Sequence, residues 1–314
     1  MTDAIPPRLR ERWRAIWPSD QADALLATFS SPKDTTFRVS TLRAPQADTL
    51  DVLRALGFDP QPVAGTTDGF SLPPSDRDAL VRAAPVIDGR AYLQDPASWV
   101  PVHLLDPQPG EEILDLCAAP GGKSLQIADR MQNRGRLACV EAIRDRFFRM
   151  KSNLDRGGVK ISALYMKDGR HVGGAVPARF DRVMLDAPCS SEAGVEADNP
   201  DTWKHWSERK LAECSRKQHG LIRSAWTALK PGGTMVYATC TFAPEEDELV
   251  IDGLLRERDD VEVLEARWPW TATQPGLTSW DGEALDPRLS RTLRVLPGPQ
   301  YGGFFCALLR KSED

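Results

Sequence analysis

EEILDLCAAPGGKS, residues 111–124, is the stretch that decides the fold. It begins as an apolar run of strand character, passes through a glycine turn and leads into a helix predicted over about 122–131. The two glycines let the backbone approach a ligand, and the free N–H groups at the helix start favour an anion. The turn lacks the GxGxxG spacing of a dinucleotide site, so by itself it is only weak evidence for a ligand.

Strands and helices alternate on the carboxyl side of this stretch. RLACVE precedes a basic helix over 143–156, KISALYM and DRVMLDAP are further strands, and a long helix over about 207–229 precedes TMVYATCT. Such alternation is typical of a parallel sheet covered by helices on both faces. GGFFCALLRK predicts an edge strand paired as a hairpin with VEVLE. Residues 266–299 show no periodicity, which predicts an irregular surface segment.

The amino-terminal part has a different pattern. TFRVSTL predicts a strand, and a helix follows over roughly 46–56. We therefore predict an α/β fold in which residues 1–90 form a small α+β domain and residues 91–314 form the parallel-sheet domain. Residues 8–29 place apolar side chains at helical spacing, which predicts one amphipathic helix with its tryptophans in a core: Leu9, Trp13, Ile16 and Trp17.

The composition is that of an ordinary globular protein, with 41% apolar and 27% charged residues. No apolar run is long enough to span a bilayer, and the N-terminus lacks the apolar core of a secretory signal, so we expect a cytoplasmic location. The net charge of −5 argues against a protein coated in positive charge, so a nucleic-acid partner would have to meet local basic patches. The six cysteines lack the CxxC spacing of a zinc site.

Acidic residues end two of the predicted strands, at the edge where open parallel sheets bind ligands. Glu141 follows the glycine turn by about twenty residues, where it either accepts the hydroxyls of a ribose or is a surface acid. Asp168 ends the next strand and either accepts from an adenine amino group or caps a helix. Together with the glycine turn they predict a nucleoside pocket.

Cysteines follow the next two strands. DAPCSS contains Asp186 and Cys189, and TCT contains Cys240. A purely structural thiol has no particular reason to recur at this edge, so the pattern favours a functional role. A thiolate is a strong nucleophile, and a cytosine ring is inert at carbon 5 until something adds across its carbon 5–carbon 6 bond. The acids of Pro244-Glu245-Glu246, just beyond the second cysteine, are typical of the first turn of a helix.

Five segments carry motifs that are highly specific in combination: FRVSTLR, YLQDPASWVPVHLLDPQPGEEILDLCAAPGGKS, FDRVMLDAPCSSEAG, KQHGLIRSAWTALKPGGTMVYATCTFAPEEDE and GGFFCALLRK. Over nearly its whole length the chain thereby resembles the RNA cytosine-5 methyltransferases that include RsmB, RsmF and the NOP2/Sun proteins. The resemblance implies a Rossmann-like class I methyltransferase sheet with a small N-terminal α+β domain. The chain departs from the family where Ser191 replaces a frequent glycine, where Asp247 replaces a common asparagine, and in the loop 192–203.

The resemblance also implies the chemistry. Cys240 is the nucleophile that adds to carbon 6, and Cys189 helps to break down the adduct. Asp186 contacts the cytosine, although a carboxylate must be protonated to donate to nitrogen 3. The sequence leaves the role of Lys123 open. This residue either lowers the pKa of a thiol, holds Asp186 or caps local carbonyls. The implied cofactor is S-adenosylmethionine, in a site lined by Cys117, Ala118, Ala119, Pro120, Gly121, Gly122, Lys123, Glu141, Asp168 and Asp186.

The implied partner is RNA, with ribosomal RNA as first choice and transfer RNA as second. The target base must be unstacked before a thiol can reach carbon 6. We expect a monomer without membrane or metal partners. One alternative is a non-catalytic RNA-binding assembly factor with this fold, which the presence of both cysteines and the whole acidic set disfavours. Another is a methyltransferase acting on DNA or a small molecule, because a nucleoside pocket does not name the acceptor.

Overall fold

A computed structural model describes residues 4–313; residues 1–3 and 314, the outer ends of the two expected domains, lie outside the described residues. The helices are Pro7–Ile16 (α1), Ala22–Ala27 (α2), Gln46–Ala55 (α3), Arg77–Val81 (α4), Ala84–Ile87 (α5), Val100–Leu105 (α6), Gly122–Arg130 (α7), Arg144–Gly157 (α8), Val172–Ala175 (α9), Glu208–Ala228 (α10) and Glu248–Glu257 (α11). The strands are Thr35–Val39 (β1), Gln61–Pro62 (β2), Gly69–Leu72 (β3), Ala91–Leu93 (β4), Glu112–Asp115 (β5), Arg136–Val140 (β6), Ser162–Tyr165 (β7), Phe180–Asp186 (β8), Leu229–Thr239 (β9), Val261–Leu264 (β10), Thr273–Pro275 (β11), Ser279–Trp280 (β12), Glu283–Ala284 (β13), Leu293–Val295 (β14) and Phe304–Lys311 (β15).

The amino-terminal unit is built on a small antiparallel sheet with the strand order β2-β3-β1-β4. Its core consists of apolar side chains from the sheet and the neighbouring helices, including Phe37, Leu53 and Leu80, which are fully buried. β4 pairs with β1 through Leu93 and Phe37. The small sheet therefore includes residues 91–93, whereas the sequence predicts that the amino-terminal domain ends at residue 90.

The prediction of a single helix over residues 8–29 is wrong, because the structure has two helices there, α1 and α2. Pro18 lies between them, and proline lacks the N–H that a continuing helix would need. Trp13 and Trp17 are buried, as predicted. Their rings pack edge-on against Phe242, with centroids 5.7 and 5.1 Å away. The first helices thus cover the loop that follows β9.

The main sheet has the strand order β11-β14-β15-β9-β8-β5-β6-β7. Strands β5 to β9 pair in parallel, which confirms the predicted parallel sheet. The chain runs outward from β5 through β6 to β7 and then returns to place β8 on the other side of β5. Ligands bind at such a switch point, beyond the carboxyl ends of the strands.

Strand β15 is not the edge strand that the sequence predicts. It pairs with β9 along one side, while its other side pairs with β14 near one end and with β10 near the other. The pairing with VEVLE is confirmed, since Val261 lies opposite Lys311. Residues 266–299 are accordingly less irregular than predicted, because β14 within them is a fully buried part of the sheet.

Apolar side chains cover both faces of this sheet. Met184 and Val236 point into the core on one face, and their neighbours Leu185 and Tyr237 point into the core on the other. Burial on both sides explains why these strands read as continuous apolar runs rather than as alternating patterns. No helix within residues 4–313 combines the length and the apolar character needed to cross a membrane.

Candidate active site

Two cysteines meet where β8 and β9 end side by side. The Sγ atoms of Cys189 and Cys240 lie 3.4 Å apart, and the hydroxyl of Ser191 lies 3.6 Å from Cys240 Sγ. The hydrogen bond from Cys189 lowers the pKa of Cys240, although burial opposes this, and raises the pKa of Cys189. The two thiols therefore differ in chemistry. Cys240 is the better nucleophile, and Cys189 is the thiol that keeps its proton and donates the hydrogen bond between them.

The Lys123 ammonium binds the carboxylate at the end of β8. Its Nζ donates to Asp186 Oδ2 at 2.8 Å and to Ser98 Oγ at 2.6 Å. Burial disfavours the charged ammonium, but Asp186 outweighs this effect and raises the pKa of Lys123. Of the three roles left open by the sequence, Lys123 holds Asp186, and its charge also contributes to the lowered pKa of Cys240. Both side chains line a cavity of about 390 Å³ that Cys240 also lines.

The glycine turn follows β5 and forms a wall of the same cavity. Gly121 has φ +106°, a conformation that residues with a Cβ rarely adopt. A Cβ on Gly122 would lie 2.7 Å from the Tyr92 ring, so this glycine makes room for the amino-terminal unit. Arg38 Nη2 of that unit donates to the Gly122 carbonyl at 3.0 Å. The small domain thus supports the turn directly, a contact that the sequence alone did not indicate.

Asp115 lies at the base of the turn and also lines the cavity. Its Oδ2 accepts from Ser124 Oγ at 2.6 Å, while its buried Oδ1 has no hydrogen-bond partner among residues 4–313. Burial raises the pKa of Asp115 to about 7. A buried carboxylate oxygen without a protein partner is suited to a cationic or hydroxyl group of a ligand.

A second cavity, of about 260 Å³, lies against the ends of β6 and β7 and shares Cys117 with the first. Glu141 is buried in its wall and accepts from Ile143 N at 2.8 Å. Asp168 also lines it and caps the following turn by accepting from Arg170 N at 3.0 Å, so the capping interpretation is confirmed. The Arg170 guanidinium lowers the pKa of Asp168 to about 2.

The two cavities are lined by all the residues predicted for the cofactor site except Gly121. The turn from Cys117 to Gly122 separates the cysteine pair from the carboxylates of Glu141 and Asp168. A carboxylate offers about four lone-pair sites. Glu141 accepts one hydrogen bond, from Ile143 N, and keeps acceptor capacity, whereas Arg170 donates to both oxygens of Asp168 from N, Nε and Nη2. The acceptors left free, which are those of Glu141 and the unpartnered Asp115 oxygen, fit the ribose hydroxyls and the ammonium of S-adenosylmethionine.

Two buried acids near the cysteines were not found from the sequence. Glu192 accepts from the indole nitrogens of Trp13 and Trp206 at 2.9 and 2.8 Å and from Phe242 N at 3.2 Å. Glu246 was interpreted as part of a helix start, which is wrong because α11 begins only at Glu248. Isolated acids in loops have no periodicity that would distinguish a buried acid from a surface one.

In sequence, the chain is similar to ribosomal RNA methyltransferases. Residues 102–310 match the family described as 16S rRNA methyltransferase RsmB/F. The chain is 36% identical to ribosomal RNA small subunit methyltransferase F of Serratia proteamaculans, over 99% of this chain and 64% of that protein. It is 38% identical to the protein of the same name from Escherichia coli strain SMS-3-5, over 98% and 64% respectively. The chain thus spans less than two thirds of the length of these relatives.

Two solved structures have the same fold as this chain over nearly all of its length. A methyltransferase homolog protein from Pyrococcus horikoshii superposes with a TM-score of 0.82 at 31% identity, over 96% of this chain and 93% of that one. NSun6 from the same organism, solved with SFG, gives a TM-score of 0.82 at 20% identity over the full length of both chains, and this shows the shared fold.

Proposed function

The chain belongs to the 16S rRNA methyltransferase RsmB/F family, and we propose that it is an S-adenosylmethionine-dependent enzyme that methylates carbon 5 of a cytosine in ribosomal RNA. The observation that carries the proposal is the pair of sulfurs 3.4 Å apart beside the larger cavity. Oxygen and nitrogen acceptors are already nucleophilic, so methyl transfer to them needs no enzyme nucleophile. A ring carbon that must first be activated does need one.

S-adenosylmethionine, when bound, supplies an electrophilic methyl group to carbon 5. The carboxylate of Glu141 would accept from the ribose hydroxyls, that of Asp168 from the adenine amino group, and Asp115 Oδ1 from the ammonium. The backbone from Cys117 to Gly121 would form the wall between the nucleoside and the base. These assignments rest on the positions of the three acids in the cavity walls and on the unpartnered Asp115 Oδ1; Asp168 would share its oxygens with Arg170.

Cys240 begins the reaction by adding its thiolate to carbon 6 of the cytosine, which forms a carbon–sulfur bond and raises electron density at carbon 5. The lowered pKa of Cys240 supports this role. Asp186 lies at the same cavity and would contact nitrogen 3 or the exocyclic amine of the base. Lys123 fixes the Asp186 carboxylate through the 2.8 Å bond and so orients it toward the ring.

Cys189 acts when the adduct is broken down. Elimination requires that the carbon 5 proton leave to a base while the carbon 6–sulfur bond breaks and its electron pair returns to Cys240. The Cys189 thiol keeps its proton, because its pKa is raised, and at 3.4 Å it can donate to the departing sulfur. This hydrogen bond stabilises the thiolate as a leaving group and assists release of the RNA.

The choice of ribosomal RNA rests on the relatives, which are named ribosomal RNA small subunit methyltransferase F. Transfer RNA is the second substrate to test. The target base has to leave its stack to bring carbon 6 to Cys240, so a single-stranded or flipped cytosine is expected.

The test uses the purified protein, a donor labelled in its methyl group, and small-subunit ribosomal RNA, transfer RNA and DNA in separate reactions. We expect 5-methylcytosine in ribosomal RNA, mapped by bisulfite sequencing, and its loss in Cys240→Ser. Cys189→Ser is expected to accumulate an RNA–protein adduct that survives a denaturing gel. Undiminished turnover by Cys240→Ser would overturn the mechanism, and labelling of transfer RNA or DNA alone would overturn the substrate.

A further inference from the structure

The backbone on both sides of Cys189 is held by two buried side chains from other elements. Gln218 of α10 donates from Nε2 to the Pro188 carbonyl at 2.9 Å. The N–H of Ser190 donates to Glu246 Oε2 at 3.0 Å and to Oε1 at 3.3 Å. Cys189 lies between these two points, so its backbone is fixed before and after the thiol.

The two holding groups also bind each other. Gln218 Nε2 donates to Glu246 Oε2 at 2.9 Å, and both side chains are fully buried. The Glu246 backbone is fixed as well, because its carbonyl accepts from the buried hydroxyl of Tyr237. A rigid frame therefore links β9, α10 and the segment that carries Cys189.

A separate bond joins the loops of the two cysteines. Ser190 Oγ lies 2.8 Å from Thr241 Oγ1, so the residue after Cys189 is bonded to the residue after Cys240. The distance between the two sulfurs thus depends on contacts made away from the cavity. Glu246 is the one acid in this frame that bonds directly to the Cys189 segment within the described part of the chain.

We propose that Glu246, together with Gln218, is a positioning residue that holds Cys189 at the distance from Cys240 needed to release the methylated RNA. The inference rests on the proposed function, in which Cys189 assists breakdown of the adduct. Glu246 does not touch the reacting atoms and acts through the Pro188–Ser190 backbone.

The charge of the carboxylate matters because every group aimed at it is a donor. Ser190 N–H and the Gln218 amide both require an acceptor, and the carboxylate supplies two oxygens. Burial raises the pKa of Glu246 to about 7, so the carboxylate is mostly ionised above that pH. Glu246→Gln has the same shape but places an NH₂ group among these donors. Gln218 could restore one bond by turning its amide, but it would then lose its bond to the Pro188 carbonyl. The isosteric change therefore loosens the frame without leaving a cavity.

The test compares Glu246→Gln with Asp252→Asn, which also replaces a buried acid of the same region. Asp252 lies on α11, bonds to Asp286 N at 2.9 Å, and makes no bond to either cysteine loop. Steady-state turnover and the fraction of enzyme trapped as adduct are measured for both variants on the RNA that the wild type methylates. Loss of a hydrogen bond to a charged group is expected to lower kcat of Glu246→Gln by about 10-fold or more, with KM for RNA little changed.

The expected result is that Glu246→Gln accumulates adduct as Cys189→Ser does, while Asp252→Asn behaves as the wild type. Wild-type kinetics for Glu246→Gln would overturn the inference, as would lost turnover without trapped adduct. If Cys189→Ser itself forms no adduct, the proposed function fails instead. Crystal structures of the wild type and Glu246→Gln then still decide the positioning role, because an unchanged 3.4 Å separation of the sulfurs would overturn it.

Discussion

Replacing Ser191 with glycine tests whether the Ser191 hydroxyl contributes to the reactivity of the Cys240 thiol, without a loss of fold stability that would obscure the effect. Ser191 has φ +61°, in the left-handed region, and its hydroxyl lies 3.6 Å from Cys240 Sγ. A side chain costs about 1–2 kcal/mol in this conformation, and glycine removes that cost but loses about 0.5–1 kcal/mol through greater freedom in the unfolded chain. The variant should therefore be as stable as the wild type or slightly more stable.

The reactivity of the Cys240 thiol should fall, although the stability of the fold is kept or slightly increased. The Ser191 hydroxyl favours the Cys240 thiolate, and at this length we assign its hydrogen bond about 1 kcal/mol. Loss of about 1 kcal/mol that favours the thiolate should raise the pKa of Cys240 and reduce the thiolate fraction by about 5-fold. At a pH below the pKa, alkylation by iodoacetamide should slow by about 5-fold, since the rate follows the thiolate fraction.

The assay is the rate of alkylation of Cys240 as a function of pH, read by mass spectrometry of the peptide that carries it. Ala178→Gly is the matched control, because Ala178 also has a positive φ, +48°, and makes no contact with the cysteines. It should change stability in a similar way and leave the titration of the thiol unaltered. A Ser191→Gly midpoint equal to that of the wild type would refute the reasoning.

Three further predictions concern the supports of the site. Lys123→Met removes the ammonium that holds Asp186 and should lower kcat by about 10-fold to 100-fold in steady-state assays, whereas Lys230→Met, which breaks an ion pair far from the cavity, should not. Trp13→Ala empties a fully buried site and should lower the free energy of unfolding by about 3–5 kcal/mol in urea titrations; a loss below 1 kcal/mol would contradict it. Burial raises the pKa of Asp115 from 3.8 to about 7, so the folded state disfavours its charge and this contribution to stability falls as pH rises between those values; in thermal melts, Asp115→Asn should abolish that part of the pH dependence.

Local patterns in the sequence predicted the parallel strands and most of their helices closely. Helices α3 and α10 begin and end within one or two residues of the expected bounds. Helix periodicity, apolar runs and glycine turns depend on residues near one another in the chain, so they can be recognised without the fold. The same reasoning failed for residues 8–29, where Pro18 ends the helical pattern.

Features that depend on distant residues could not be predicted in this way. The position of β15 inside the sheet requires β9, β10 and β14 to meet it, and no local pattern records those pairings. Glu192 and Glu246 look like ordinary surface acids, because their donors come from segments far away in the chain. Burial of an acid is decided by what packs over it.

By itself, the sequence determined that Cys189 and Cys240 follow neighbouring parallel strands, because each strand is marked by its own apolar run and the cysteine comes just after it. Only the tertiary structure decided that the two sulfurs lie 3.4 Å apart, that Lys123 binds Asp186, and that Glu246 holds the segment around Cys189. The physical reason is that a strand end fixes a residue to within several ångströms, whereas hydrogen bonding and thiol pKa depend on tenths of an ångström, which are set by packing between elements distant in the chain.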